Sequence, residues 1–96
     1  MIIVTANITT NAGKRGEIIS KSKDLVKSTR LESGCVSYGL YADTENDNIL
    51  LVFEQWENID ALELHMETDH FKTFDQSIQD FLAEDVEITI FSADKI

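Results

Sequence analysis

The sequence predicts an α+β fold in which a four-stranded antiparallel sheet carries helices on one face. Three observations support this prediction. Segments with a strand-like period of two stand near both ends, segments with helical spacing lie between them, and one nearly continuous apolar stretch occupies the middle. The chain has 96 residues, no proline and only four glycines, so nothing resembles a linker. We therefore expect residues 1–96 to form a single domain.

The first third of the chain predicts a strand, a helix and a second strand. In the first strand Ile2, Val4, Ala6 and Ile8 alternate with a more mixed set of side chains, which indicates one fully apolar face. From about residue 12 to residue 30, apolar side chains recur at helical spacing, as in an amphipathic helix. Gly34 is expected to end this helix, and a second strand follows up to the polar turn DTENDN.

The rest of the chain predicts a strand, two helices and a last strand. Residues 49–57 begin with five consecutive apolar side chains and include Trp56, as expected for a central strand buried on both faces. Asn58 is expected to cap a short helix that runs to about Met66, and Thr68 or Asp69 to cap the next one. A single stripe on that helix is assigned to the core: Phe71, Phe74, Ile78, Phe81 and Leu82. With the alternating segment after Val86, the order βαββααβ predicts the ferredoxin-like arrangement.

Helices on one face leave the other face of the sheet uncovered. We expect the uncovered face to present a larger apolar patch than soluble monomers usually expose, formed by Ile3, Leu50, Val52 and Trp56. Two sheets packed face to face would bury this patch, which predicts a homodimer. A gap between the sheet and a neighbouring helix would then form a shielded pocket.

The charge distribution argues against polyanionic partners. The net charge is -10, whereas nucleic-acid binding depends on many lysines and arginines that neutralise phosphates. Residues 1–30 nevertheless hold six of the eight basic side chains and only two acids. This basic helix either steers an anionic ligand, docks on an acidic neighbour, or is simply a solvated face, and charge runs usually are solvated faces.

Sequence features also predict where the protein works. The N-terminal segment MIIVTANITT has no basic leader, and its apolar run is too short for a signal peptide or a membrane span, so we expect the chain to begin directly with structure. Cys35 is the single cysteine, which rules out an intramolecular disulfide, and no Cys/His spacing resembles a zinc site. These features predict a cytoplasmic protein without a membrane partner.

Strand parity selects the candidate pocket residues. Leu50, Val52, Glu54 and Trp56 share one face of the central strand, and Ile49, Leu51, Phe53 and Gln55 share the other. We assign the second, more uniformly apolar set to the helix-packed core. Glu54, Trp56 and Val52 are then expected on the open or pocket face, together with Asn7 of the first strand. A carboxylate in the middle of an apolar strand needs a partner, because burying it unpaired is costly.

His65 is the expected partner of Glu54, because it lies on the short helix and can face the end of the strand. That contact would fix the tautomer of the imidazole and keep it a competent base near neutral pH. The alternative is a partly buried structural histidine. Tyr38 and Tyr41 lie on opposite faces of the second strand, so one of them is expected to line the pocket. Tyr38 is taken as the candidate, although the sequence does not choose between the two.

His70 is the second histidine and invites the hypothesis of a metal site with His65. In a continuous helix the two side chains would point about 140° apart, and the caps at residues 68 and 69 predict a helix break between them. No carboxylate is placed beside the pair by the sequence. Two histidines alone are a poor metal signal, so no metal site is predicted.

The runs ESGCVSYGLY and LVFEQWENIDALELHMETDHFKTF resemble the antibiotic biosynthesis monooxygenase superfamily, and within it the small quinol monooxygenases. The similarity extends over essentially the whole chain. Its most specific part is the combination of Glu54, Trp56 and His65 with the TDHF that follows. The chain departs from two branches: residues 57–82 contain no tyrosine, unlike some polyketide-oxidising relatives, and no histidine follows His70, which argues against haem degradation.

This resemblance implies a dimeric α+β barrel that oxygenates a small quinol or polycyclic phenol with O2 and uses no flavin, haem or metal. It implies His65 as base or proton relay, Glu54 as its orienting carboxylate, Trp56 as a pocket wall and Asn7 as a hydrogen-bond donor. Two other functions stay open at this point. One is a dimer that binds an aromatic ligand without turnover, and the other is an isomerase of a phosphorylated signalling sugar, because fold and motif alone do not fix a reaction.

Overall fold

The computed structural model describes all 96 residues, and its elements follow the predicted order. Strands β1 and β2 flank the first helix, β3 precedes a pair of helices, and β4 ends the fold. The bounds are β1 Ile2–Thr9, α1 Arg15–Thr29, β2 Cys35–Ala42, β3 Ile49–Trp56, α2 Ile59–Met66, α3 Asp69–Ile78, a 3-10 turn Gln79–Phe81 and β4 Glu87–Ser92. The order βαββααβ is therefore confirmed.

The four strands form one antiparallel sheet in the order β2-β3-β1-β4. The two central strands, β1 and β3, align residue for residue from the pair Ile2 and Trp56 to the pair Thr9 and Ile49. The helices cover one face of this sheet, as in the predicted ferredoxin-like arrangement. None of the helices is both long and apolar enough to cross a lipid bilayer.

Side-chain caps set the ends of the two short helices. The Asn58 Oδ1 accepts a hydrogen bond from the backbone N–H of Ala61 at 2.9 Å, as predicted. Of the two residues proposed for the next cap, the structure uses Thr68, whose Oγ1 accepts from the N–H of Phe71 at 3.3 Å and donates to the His65 carbonyl at 2.6 Å. Thr68 has an extended backbone, so the chain changes direction between α2 and α3.

The predicted assignment of the two faces of β3 is wrong. Leu50, Val52, Glu54 and Trp56 are the buried set and face the helices, whereas the intervening residues are half-buried on the uncovered face. Both sets are largely apolar, so composition did not distinguish them. The buried polar atoms of Trp56 and Glu54 satisfy each other, because the Trp56 indole N–H donates a hydrogen bond to the Glu54 carboxylate at 3.0 Å.

Asn7 follows the same correction. It pairs with Leu51 across β1 and β3, so both side chains lie on the uncovered face, where Asn7 is exposed. The helix-covered face of β1 consists instead of Val4, Ala6 and Ile8. Residues that pair across an antiparallel sheet share a face. Once the side chains of β3 are assigned to the wrong face, the residues of β1 paired with them are assigned to the wrong face too. The structure does have a sheet face that no helix covers. Of the residues predicted for it only Ile3 lies there, and its apolar side chains are Ile3, Ile49, Leu51, Phe53 and Phe91.

Gly34 packs the turn after α1 directly against α2. Its φ of +85° lies in the left-handed region, and a Cβ added there would come within 2.6 Å of the Ala61 Cβ. A side chain at position 34 would therefore push this turn away from α2. The same turn carries Glu32, so Gly34 also determines how closely that carboxylate approaches the helix.

Replacing Gly34 with alanine should lower the free energy of unfolding by about 2 to 4 kcal/mol, because backbone strain and overpacking add. Gly16→Ala is the matched control. Gly16 lies in the first turn of α1 with no atom within 4 Å of an added Cβ, so this change should leave stability equal or raise it by up to about 1 kcal/mol. Urea denaturation of both variants measures the difference, and equal stabilities would contradict the packing argument.

Candidate active site

An apolar cavity of about 80 Å³ lies between the sheet and the helix pair α2 and α3. Thirteen of its sixteen lining residues are hydrophobic, and the polar members are Glu54, His65 and Asp75. The lining side chains Met66, Ile88 and Ile90 are also exposed, so the cavity reaches the surface between α2 and β4. Its volume is well below the roughly 300 to 1,000 Å³ of sites for drug-sized ligands, so only a small ring fits without movement.

His65 is the most completely enclosed polar side chain of the cavity wall. It is 1% exposed, and its ring centroid lies 4.8 Å from that of Trp56, 5.2 Å from Phe71 and 5.4 Å from Tyr38. Burial lowers the pKa of the imidazole below its ordinary value, although the neighbouring Glu32 carboxylate opposes that shift. The packed rings hold the imidazole in one orientation.

The two nitrogens of His65 have different environments. Nδ1 lies 2.8 Å from the Glu32 Oε2, and Nε2 is buried without a hydrogen-bond partner. A carboxylate accepts but does not donate, so it selects the tautomer with the proton on Nδ1 and leaves the lone pair of Nε2 available. An imidazole oriented in this way by a carboxylate is the arrangement of a general base.

Glu32 is the functional residue that sequence reasoning missed. It lies in the turn between α1 and β2, where its N–H donates to the Thr29 carbonyl at 3.0 Å and its carbonyl accepts from Cys35 at 3.2 Å. Its Oε2 also accepts from the His70 Nε2 at 2.7 Å. The one available signal was an isolated acid, the only one between Asp24 and Asp43, placed two residues before a turn glycine.

Glu54 does not pair with His65, contrary to the prediction. Its oxygen accepts instead from the Trp56 indole, and the residue lines the cavity on its own. Burial raises the pKa of this carboxyl, the hydrogen bond from the Trp56 indole opposes the rise, and the Glu32 charge adds to it, so that the pKa moves from its ordinary 4.5 to about 7. A carboxyl with such a pKa exists in both protonation states near neutrality.

Tyr38 lies directly opposite Glu54 in the β2 and β3 pairing and lines the cavity. Burial raises the pKa of its phenol well above the ordinary value, and the Glu54 and Glu32 charges act in the same direction. Tyr38 therefore stays a neutral hydroxyl. It is 5% exposed, whereas Tyr41 on the uncovered face is 58% exposed, so Tyr38 is the tyrosine of the pocket.

Four of the six residues selected from the sequence meet at this cavity: Tyr38, Val52, Glu54 and His65. Trp56 lies behind them, where it packs on the His65 ring and donates to Glu54, so it supports the wall without lining it. Asn7 does not belong to the site, because it lies on the opposite face of the sheet.

His70 also lies closer to His65 than the sequence analysis expected. The break at Thr68 turns the start of α3 back toward α2, and the two imidazole rings come within 6.0 Å of each other. One ligand atom each from Glu32, His65 and His70 lies within 4.8 Å of the others. These three residues are the only group in the chain with the composition and spacing of a metal-ligand set.

The family described as antibiotic biosynthesis monooxygenase matches residues 1–77 of the chain. The chain belongs to this family. The match includes Glu32, Tyr38, Glu54, His65 and His70, and thus nearly the whole of the site. It ends before β4, which supplies the outer cavity wall.

Individual relatives agree with this assignment. An uncharacterised protein of Synechocystis is 39% identical over 90 residues, which cover 94% of this chain but 61% of that protein. The chain thus spans about three fifths of that relative's length. The provisionally named monooxygenase YcnE of Bacillus subtilis is 34% identical over 74 residues, covering 77% of this chain and 78% of YcnE. A conserved protein of Methanosarcina mazei with a solved structure is 33% identical, with a TM-score of 0.90 and coverage of 94% and 89%.

The raised pKa of Glu54 predicts how stability depends on pH. The folded state binds this proton more tightly than the unfolded chain, so the contribution of Glu54 to the free energy of unfolding should fall as pH rises from 4.5 to about 7, by up to about 3 kcal/mol. The groups facing Glu54 are Trp56, Tyr38, His65 and the more distant Glu32.

Glu54→Gln keeps an acceptor for the indole and cannot ionise. The variant should therefore match the wild type near pH 5 and exceed its free energy of unfolding by about 3 kcal/mol at pH 8. Because the lowered pKa of His65 acts on both proteins, the difference between them isolates Glu54. Urea titrations at pH 5, 6 and 8 measure it, and parallel curves would refute the raised pKa.

Proposed function

We propose that this protein is a monooxygenase that oxidises a small quinol or phenol with O2 and needs no organic or metal cofactor for turnover. The proposal rests on one observation: the His65 imidazole is oriented by Glu32 through Nδ1 and has a buried, unpartnered Nε2 in a residue that lines an apolar cavity. A buried acceptor without a partner is stabilised when a bound molecule donates a hydrogen bond to it. A phenolic O–H bound in the cavity is a donor of the right kind.

The chemistry begins with a proton transfer. His65 Nε2 takes the proton of the substrate O–H, and the resulting imidazolium is stabilised by the Glu32 carboxylate. The electron-rich phenolate then reduces O2, and a ring carbon forms a bond to oxygen. The peroxide accepts the proton from Nε2, and its O–O bond breaks with loss of water and of the ring C–H proton. One oxygen atom enters the product quinone and the other leaves as water, so the substrate supplies all four electrons.

The remaining polar groups of the cavity suit an anionic aromatic intermediate. The neutral hydroxyl of Tyr38 and the protonated form of Glu54 are donors near His65, and a donor aimed at a developing oxyanion stabilises it most in a dry site. The apolar wall excludes water, which would otherwise protonate the phenolate and hydrate the peroxide. The small volume favours a single-ring substrate over a polycyclic one.

The cavity lining disfavours a phosphorylated sugar. No lysine or arginine lines it, and its ionisable members besides Tyr38 and His65 are the acids Glu54 and Asp75. A phosphate bound there would be desolvated next to carboxylates, without a cationic partner. The cavity therefore lacks the cationic phosphate site that an isomerase of a phosphorylated sugar would need. A relative with a matching name is the probable quinol monooxygenase YgiN of Escherichia coli, 29% identical over 90 residues, with coverage of 82% of this chain and 86% of YgiN.

A protein that binds an aromatic ligand without turnover would use the same cavity, so O2 consumption separates the two functions. Purified protein is mixed with a panel of reduced benzoquinols and naphthoquinols, and O2 uptake is compared with autoxidation of each compound. Chelator-treated protein should consume O2 in proportion to product formed, one for one. Binding of a quinol without uptake above autoxidation would overturn the oxygenase.

His65 and Glu32 should behave as one catalytic unit. His65→Ala and Glu32→Gln should each lower kcat by roughly 10² to 10⁴, the usual contribution of a positioned base. The double variant should lose little more than the worse single variant, because groups that act together are not additive. His65→Ala combined with Glu54→Gln should instead give losses that multiply, because Glu54 has no contact with His65 nitrogen atoms in the structure.

Glu63→Gln is the matched control for the carboxylate changes. Glu63 is exposed on α2, the helix that carries His65, and takes no part in the cavity. This variant should keep the wild-type rate, and circular dichroism should show all variants folded. Full activity of the folded His65→Ala protein would remove the imidazole from the mechanism.

We also propose that the uncovered sheet face pairs with that of a second copy to form a homodimer. Phe53 stands at the centre of this face, between Gly39 and Thr5 on the neighbouring strands. Ile3 and Leu51 lie near it, and Phe91 on β4 is 48% exposed. A contiguous apolar patch of this kind is typical of an interface between protein surfaces.

Sedimentation should therefore give about twice the chain mass of 10.9 kDa at micromolar concentration. Phe53→Glu should shift the protein to monomer, because two carboxylates would be buried at the centre of the interface. Leu64→Glu is the control, since Leu64 is exposed on α2, away from the sheet. A monomeric wild type would refute the dimer.

A further inference from the structure

We propose that Glu32, His65 and His70 form a binding site for one divalent transition-metal ion, with Zn²⁺ as the representative ion, and that its occupancy inhibits the base. The site would use His65 Nδ1, His70 Nε2 and the Glu32 Oε2. The inhibitory part of this inference depends on the proposed function, whereas binding itself does not.

The donor set determines the class of ion. Two imidazoles and one carboxylate are suited to Zn²⁺ and its first-row neighbours, and they do not suit Mg²⁺ or Ca²⁺, which prefer oxygen ligands. Three protein ligands leave at least one position for water. In a tetrahedral site with metal bonds of about 2.0 to 2.2 Å, ligand atoms lie about 3.3 Å apart. The Glu32 oxygen is now 2.8 Å from His65 and 2.7 Å from His70, so small side-chain movements admit an ion.

The fold holds the three ligands from separate elements. Glu32 comes from the turn after α1, His65 from α2 and His70 from the first turn of α3. The Gly34 contact with Ala61 fixes the turn, and the Thr68 hydrogen bonds fix the angle between the two helices. A site preorganised in this way does not need the ion to gather its ligands.

An ion can reach the site from one side. The His70 side chain is 26% exposed and the Glu32 side chain 15%, whereas His65 is enclosed. His70 also borders a surface depression lined by two acids, Asp24 and Asp69, and one base, Lys21. The acids outnumber the base, which favours the approach of a cation. Neither Glu32 nor His70 lines the apolar cavity.

Occupancy would change the chemistry of the cavity through the His65 ring. In the metal-free protein Nδ1 carries the proton and Nε2 the free lone pair. An ion on Nδ1 replaces that proton, so a neutral ring must carry its remaining proton on Nε2. Nε2 then becomes a donor and cannot accept a proton from the substrate. An ion bound to Nδ1 would therefore stop His65 from acting as a base at Nε2, on the opposite side of the ring.

Isothermal titration calorimetry with ZnCl2 on the chelator-treated full chain tests binding. We expect one ion per chain, and Co²⁺ should give visible absorption bands without the thiolate charge-transfer band that Cys35 would add. His70→Ala and Glu32→Gln should each weaken binding by about 100-fold or more, beyond the roughly 10- to 100-fold lost when a group that only hydrogen-bonds a ligand is removed. Cys35→Ser, the control for the only thiol, should bind as the wild type does.

Two further measurements keep the test decisive. Thermal unfolding with Zn²⁺ should raise Tm in the wild type and not in folded His70→Ala, because an ion that binds only the native site stabilises it. O2 uptake should fall when Zn²⁺ saturates the wild type, and each variant is compared with its own metal-free rate. No binding, equal binding by His70→Ala, or loss of binding in Cys35→Ser would overturn the site.

The activity result separates this inference from the proposed function. Zinc that binds with the predicted ligands but leaves turnover unchanged would overturn the inhibitory part alone. Uptake stimulated by the ion would also overturn it. Absence of any O2 uptake in metal-free protein would overturn the oxygenase and leave the binding result standing.

Discussion

The contact between Glu32 and His65 is the interaction on which the site depends. One carboxylate oxygen connects the turn after α1 to α2 and, through His70, to α3. These three segments are also held by apolar packing, by the hydrogen bond from the Glu57 N–H to the Gly34 carbonyl and by the Thr68 hydrogen bonds, but none of these contacts involves a ring nitrogen of His65. The carboxylate does, and it selects the tautomer of His65 with the proton on Nδ1. A buried imidazole with a free nitrogen is the result.

The cavity wall separates three titratable groups by environment. Tyr38, Glu54 and His65 all line it, yet burial keeps the phenol neutral, brings the Glu54 pKa to about 7 and lowers the pKa of the imidazole. All three shifts favour the uncharged form, since an apolar wall penalises charge in each of them. These three groups therefore add little charge to the cavity before a ligand enters, and the remaining polar member of the lining is Asp75.

The two faces of the sheet differ in character, because successive side chains along each strand point to opposite faces. The helix-covered face carries Tyr38 and Glu54, which line the cavity, and the uncovered face is largely apolar, with Phe53 at its centre. The covered face is completed by the helices and by the turn that carries Glu32 to the imidazole. An apolar face of the second kind is typical of an interface, which is the basis of the proposed dimer.

The sequence alone determined the order of the elements, the cap at Asn58 and the antiparallel ferredoxin-like fold, and it limited the next cap to Thr68 or Asp69. Those features follow from local spacing and from residue chemistry within a few positions, so they are legible along the chain. The face of β3 was decided by the tertiary structure, because both parities are apolar and only the position of the helices distinguishes them. The partner of His65 was decided there too. Glu54 is eleven residues away in sequence and Glu32 thirty-three, yet the hydrogen bond to His65 comes from the more distant carboxylate, because the turn that carries Glu32 packs against α2 through Gly34 and Ala61 and is joined to Glu57 by a backbone hydrogen bond.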